Sequence, residues 1–190
     1  SSRFAMTDME MKPKPDAVIW LVRDSVRLAD NPALVAAVQE AEQRGVLLIP
    51  LACLDPCRWA GQQFGLARAG KVWSRFRIES LVDLKDQLEL QGSTLWVSSE
   101  GVADTVNLIS ETACVSCVVT DLPLATEERL ENTCLVAAGY QVIEVEADEL
   151  FDKVQLPFPL DELPSTFSRF RKGVEKKSAL DPLIPLGIPK

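Results

Sequence analysis

Between residues 17 and 145 the chain alternates short apolar runs with amphipathic stretches, the pattern of βα units that build a parallel sheet covered by helices. Residues 17–22 (AVIWLV) are apolar at every position, as suits a central strand buried on both faces. Asn31 followed by Pro32 predicts a helix N-cap with proline in the first turn, and Gly45 stops that helix after Arg44. Residues 46–54 (VLLIPLACL) predict a second buried strand. Residues 69–91 carry Val72, Phe76, Leu81, Leu84 and Leu88 on one helical stripe expected to face the core, with Gly92 as the stop. A short strand over 94–97, a helix over 102–111, a strand over 114–120 (CVSCVVT), a helix over 126–138 closed by Gly139 and a strand over 141–145 complete the series. Five strands joined by four crossovers predict an α/β fold with a five-stranded parallel sheet flanked by helices.

Beyond residue 146 the texture changes. Six of the 12 prolines and four of the seven phenylalanines fall between residues 151 and 189, where no further βα unit fits. The expected organisation is a flexible arm over 1–15, the α/β domain over 16–150 and an extended, irregular, aromatic and proline-rich wrap or docking tail over 151–190. In that tail Phe158, Leu160, Leu163, Phe167 and Phe170 need an apolar surface, on this domain or on a partner. Arg169, Arg171, Lys172, Lys176 and Lys177, opposed only by Glu175, give a local charge of +4 that reads as a solvated helix face or as a contact for an acidic partner.

Composition narrows the chemistry. The chain has no histidine, which excludes Ser-His-Asp and Cys-His nucleophiles and every histidine metal site. A net charge of −8 makes DNA an unexpected partner, since polyanion binding draws on a basic face. Five cysteines, an odd number in a chain large enough to fold without staples, fit a reducing compartment. No apolar run approaches the roughly 18–20 residues that span a bilayer, so membrane association would be peripheral. The chain begins at Ser1, which fits either a processed organellar precursor or a shortened start.

In an open parallel sheet, ligands settle beyond the carboxyl ends of the strands at the topological switch point, so the loops to inspect are 23–31, 54–65, 98–101, 121–128 and 146–149. No GxGxxG or Walker A loop is present. Asp24, Asp30, Asp55, Asp121 and Glu127 bring carboxylates toward this rim, without a spacing that argues for acid/base catalysis over capping and turns. Cys114 and Cys117 have metal-pair spacing but lie within a predicted strand. Cys53 and Cys57 fall at the other rim, so no metal site is expected. Glu127 and Glu128 follow Thr126 at a helix start, where carboxylates offset the helix dipole.

The stretch LVRDSVRLADNPAL (21–34) resembles the opening motif of the photolyase/cryptochrome family, WFRxDLRxxDNxAL, with Arg23, Arg27, Asp30, Asn31, Ala33 and Leu34 in place. Leu21 and Val22 stand where the motif has its aromatic pair, and Ser25 where it has aspartate. Leu54, Asp55 and Pro56, the helix text RIESLVDLKDQLELQGSTLWV (77–97) and LPFPLDELPSTFSRFRKGVEK (156–176) follow in family order. The last is closest to DASH-type cryptochromes and plant photolyase-like proteins. The resemblance covers 17–190 and implies a Rossmann-like sheet in the order 3-2-1-4-5, the N-terminal antenna-type half of such a protein. In the family a larger helical half holds FAD and the DNA-lesion cavity, so the resemblance implies no FAD on this chain. It also implies a folate or deazaflavin antenna, with Glu127 or Glu128 at the position that contacts a pterin.

Three functions follow as expectations. The first is a non-catalytic interaction module or accessory subunit that docks through Phe158, Phe167, Phe170, Arg169, Arg171 and Lys172 onto a protein partner. The second is a folate-binding antenna or photoreceptor domain, and the third a piece of a flavin-dependent photolyase or cryptochrome. Organellar relatives make a chloroplast, with a photosynthetic or other organelle assembly as partner, the expected setting.

Overall fold

The computed structural model describes residues 13–59, 61–147, 155–177 and 185–189. The central sheet is built from β1 (Asp16–Leu21), β2 (Leu47–Cys53), β5 (Trp96–Ser98), β6 (Cys114–Asp121) and β7 (Val142–Val145). Its order is β5-β2-β1-β6-β7 and every pairing is parallel, which is the 3-2-1-4-5 arrangement anticipated from the sequence. The chain order reverses between β1 and β6, which makes their carboxyl ends the switch point.

Helices α1 (Pro32–Arg44) and α3 (Lys71–Leu90) cover one face, and α4 (Val102–Ser110) and α5 (Thr126–Ala137) the other. Alternation along β1 divides the core: Val18, Trp20 and Val22 pack with Ala37, Leu84 and Leu88, whereas Ala17, Ile19 and Leu21 pack with Val106, Ile109 and Leu135. The α1 boundaries follow local chemistry. Asn31 Oδ1 accepts the Leu34 N–H at 2.9 Å, its Nδ2 donates to the Ser25 and Arg27 carbonyls, and Gly45 ends the helix at φ 65°.

Three readings of the sequence are corrected. The α3 stripe is buried at Leu81, Leu84 and Leu88, but Val72 is 85% and Phe76 68% exposed. A helix of 20 residues is about 30 Å long, whereas β5 has three residues and spans about 10 Å, so the first turns of α3 overhang the sheet. The loop expected over 54–65 contains the short helix α2 (Pro56–Trp59) and leads into a hairpin of β3 (Gln62–Gln63) and β4 (Leu66–Ala67). The tail is not extended throughout: it forms a 3₁₀ turn at Leu160–Glu162 and a helix, α6 (Phe167–Lys177).

Within the tail, Phe158 and Phe170 meet at a ring separation of 5.8 Å. The Phe158 ring lies over Gly173 so closely that a Cβ there would sit 2.2 Å from it. Phe167, Leu160 and Leu163 remain exposed, so the tail only partly covers its own apolar groups. The segment 185–189 returns to the β1–α1 loop, where Asp30, at φ 52°, donates its N–H to the Leu186 carbonyl and accepts the Leu186 N–H on Oδ1. The expected arm lies outside the described residues except for 13–15, as does the expected domain boundary at 150. No helix among the described residues is long and apolar enough to cross a membrane.

Candidate functional site

The site begins with Arg23, the second residue past β1. Its guanidinium is buried and reaches across the switch point to β6 and α5: Nε donates to Thr120 Oγ1 at 3.1 Å, Nη1 to Glu131 Oε2 at 2.5 Å and Nη2 to Asn132 Oδ1 at 2.6 Å. Asn132 passes the network on by donating to Glu144 Oε1 on β7 at 2.8 Å. Planar Arg23 therefore fixes α5 relative to the strand ends. Beside it the buried Ser25 donates its N–H to Asp121 Oδ2 at 3.3 Å.

A cavity of about 320 Å³ opens over these strand ends, lined by groups from β1, β2, α2, α3, α4 and α5. Its floor includes Leu21, Val22 and Cys53. Trp59 and Trp73 form one part of the wall, with ring centroids 4.8 Å apart and planes tilted by 41°. Elsewhere the lining is charged: Arg23, Arg68 and Arg77 with Asp24, Asp55, Glu127, Glu128 and Glu131. Glu127 is half-buried and ion-paired with Arg68, while Glu128 is buried beneath it. Both stand in the first turn of α5, whose N-cap Ala125 offers no side-chain acceptor, so they also offset the positive end of that helix.

Cys53 ends β2 and Cys114 begins β6, so in this parallel sheet they occupy opposite rims; the side chain of Cys57 lies outside the described residues. Burial pushes the Cys53 thiol up to about 11, against a smaller downward pull from its hydrogen bond with Thr105. At pH 8 only about one Cys53 in a thousand is then thiolate. Its alkylation by iodoacetamide at that pH, followed by peptide mass spectrometry, should be about a hundredfold slower than for an ordinary thiol. Labelling at the ordinary rate would show that the cavity floor is open to water.

A cavity at this switch point in this strand order can be compared with known proteins. The family model for DNA photolyase matches residues 17–188. The chain belongs to the DNA photolyase family. It corresponds to the N-terminal, antenna-type α/β domain of photolyases and cryptochromes. Cryptochrome DASH, chloroplastic/mitochondrial, of Oryza sativa is 28% identical over 185 residues, with 86% of this chain and 31% of that protein covered. The Synechocystis sp. PCC6803 cryptochrome structure superposes with a TM-score of 0.81 at 24% identity, covering 94% of this chain and 37% of that one. An archaeal photolyase from Sulfolobus tokodaii, described with two FAD molecules and the implication of a novel light-harvesting cofactor, gives 0.67 at 20% identity, covering 91% and 37%. The chain spans about a third of the length of the curated relatives it matches.

Within this photolyase-type domain the two glutamates singled out in the sequence, Glu127 and Glu128, meet at the cavity. Asp24 and Asp55 join them, whereas Asp30 instead holds the returning segment 185–189. Phe158, Phe167, Phe170, Arg169, Arg171 and Lys172 are not in the lining; the three cations and Phe167 are exposed on α6. Sequence reasoning weighed Cys53 only as a metal ligand and missed Arg68, Trp73, Arg77 and Glu131. Trp59 lay inside an inspected loop, but the others fall outside every loop that the rim rule named. Only the unusual density of arginine and tryptophan over 58–77 marked that stretch.

Proposed function

We propose that this domain binds a planar heteroaromatic antenna chromophore of folate or deazaflavin type in the rim cavity, as the light-collecting module of a photolyase- or cryptochrome-like system. The observation that carries this reading is the juxtaposition of Glu127 and Glu128 with Trp59 and Trp73 around one cavity at the switch point. Carboxylates accept the N–H groups along the edge of a pterin-like ring, and indoles pack against its face. The volume falls at the small end of the range of about 300–1,000 Å³ usual for small-molecule sites, which suits a ring system rather than a dinucleotide. The light-harvesting cofactor implied for the archaeal photolyase is consistent with such a role.

The test is equilibrium dialysis with 5,10-methenyltetrahydrofolate, reading near-ultraviolet absorbance. The wild-type chain should take up about one equivalent, and the double variant Glu127→Gln/Glu128→Gln, checked for folding by circular dichroism, should bind at least about tenfold more weakly, as when a charged acceptor is lost. Unchanged binding by the double variant removes these glutamates from the site. Absence of uptake with both a folate and a deazaflavin overturns the reading.

A second reading, an accessory subunit docking a protein partner, draws on α6. Phe167, 75% exposed, stands there with the exposed Arg169, Arg171 and Lys172. A plastid setting accords with the organellar rice relative. A native mass far above 20.9 kDa in material from the source would support the subunit role.

A further inference from the structure

Helix α3 carries its charge against its own dipole. Residues 71–77 hold Lys71, Arg75 and Arg77 and no carboxylate, whereas residues 78–90 hold Glu79, Asp83, Asp86 and Glu89 against the single cation Lys85. A helix favours anions at its N-terminus and cations at its C-terminus, so this order is unfavourable at both ends, and Gly70 at the N-cap makes no side-chain hydrogen bond that would offset it. Leu81, Leu84 and Leu88 bury the inner face, and Arg77 turns to the rim cavity. The outer face is apolar as well as charged: Val72 near one end and Leu90 at the other are each 85% exposed, beside the exposed Lys71, Arg75, Asp86 and Glu89. Two of these charges have partners on the same helix, Arg75 with Glu79 at 2.7 Å and Glu89 with Lys85 at 3.5 Å. Both pairs are exposed, where such contacts contribute little and yield to a better-placed charge.

The surface that complements this face is the same face turned end for end. We infer that α3 is a self-association surface, pairing antiparallel with α3 of a second copy about a two-fold axis that crosses the helix near Ser80 and Leu81. Positions equally far from that axis then meet: Lys71 lies opposite Glu89 of the second copy, Arg75 opposite Asp86 and Val72 opposite Leu90, and the symmetry makes each contact twice. The basic half of each helix rests on the acidic half of the other, the two helix dipoles oppose, and the apolar ends are covered. With α3 about 30 Å long, these contacts clasp the pair at both ends. The inference does not depend on the chromophore reading, because Trp73 and Arg77 are the α3 residues that line the cavity and neither takes part in the pairing.

The experiment is sedimentation equilibrium on the full chain and two charge-reversed variants, Lys71→Glu/Arg75→Glu and Asp86→Lys/Glu89→Lys, each checked for folding by circular dichroism. At about 100 μM the wild type should sediment at twice its chain mass of 20.9 kDa, and raising the salt from about 50 mM to about 500 mM should weaken the pair. Either variant alone places like charges opposite one another at both ends, so each should associate at least about tenfold more weakly than the wild type. Mixed in equal amounts, the two variants should pair with each other, because every reversed charge then meets an opposite one. That rescue also shows that both variants are folded. A wild type that stays monomeric at this concentration would overturn self-pairing and leave the face to a different protein. A dimer that survives either double variant, or a mixture that stays monomeric while the wild type pairs, would overturn the antiparallel contact.

Discussion

Replacing Arg23 with alanine should lower the unfolding free energy by about 3 kcal/mol, read as a fall in urea midpoint at constant m-value. The guanidinium is 6% exposed and makes three side-chain hydrogen bonds, to Thr120, Glu131 and Asn132. Removing it strips the closest cation from Glu131 and leaves acceptors on β6 and α5 without their donor. Breaking a fully buried pair from one side costs about 3–5 kcal/mol, and the lower figure applies because Glu131 retains some contact with water. Arg23→Met combined with Glu131→Gln should recover more than half of the loss, since it removes both charges together. A loss below about 1 kcal/mol for the alanine variant would mean that Arg23 does not hold α5 to the strand ends. Because Glu127, Glu128 and Glu131 ride on α5, Arg23→Ala should also weaken any ligand at the cavity, although the arginine's own hydrogen bonds are internal.

Trp20→Ala should cost about 4 kcal/mol, measured by the same denaturation. Trp20 is 1% exposed near the carboxyl end of the central strand, in register with Pro50 on β2 and Val119 on β6, and packs in the core beneath α1 and α3. Truncating it removes the transfer free energy of an indole and leaves a hole that the strand cannot close, because its backbone is paired on both sides. Trp20→Phe, which retains most of the volume, should cost less than half as much. If alanine costs less than about 1.5 kcal/mol, the helices on that face must collapse onto the sheet, and the core is less rigid than its packing implies.

These two positions separate the parts of this domain. Trp20 belongs to the scaffold and has no place at the cavity. Arg23, three residues later, is where scaffold becomes site: it leaves the strand end, crosses the switch point and sets the helix that carries the acidic wall. The motif match at Arg23 and Asn31 is thus explained in part by folding, with Arg23 holding α5 and Asn31 capping α1 while tying down the loop before it.

The amino-acid sequence by itself determined the strands, most of the helices, the strand order through its family motif, and the two glutamates at the start of α5. Those features are written locally. A fully apolar run such as 17–22 stays in the sheet interior whatever surrounds it, and Asn31, Pro32 and Gly45 set the ends of α1 through their own backbone chemistry. Only the tertiary structure decided that Val72 and Phe76 overhang the sheet, that Trp73, Arg68 and Arg77 join Glu127 and Glu128 around one cavity, and that Phe158 folds over Gly173 while Phe167 is left exposed. The physical reason is that periodicity records which side of a helix is apolar, not how far the neighbouring strand extends beneath it. An ion pair between Arg68 and Glu127, separated by 59 positions along the chain, exists only once a five-stranded sheet has brought the loop before α3 and the start of α5 to the same rim.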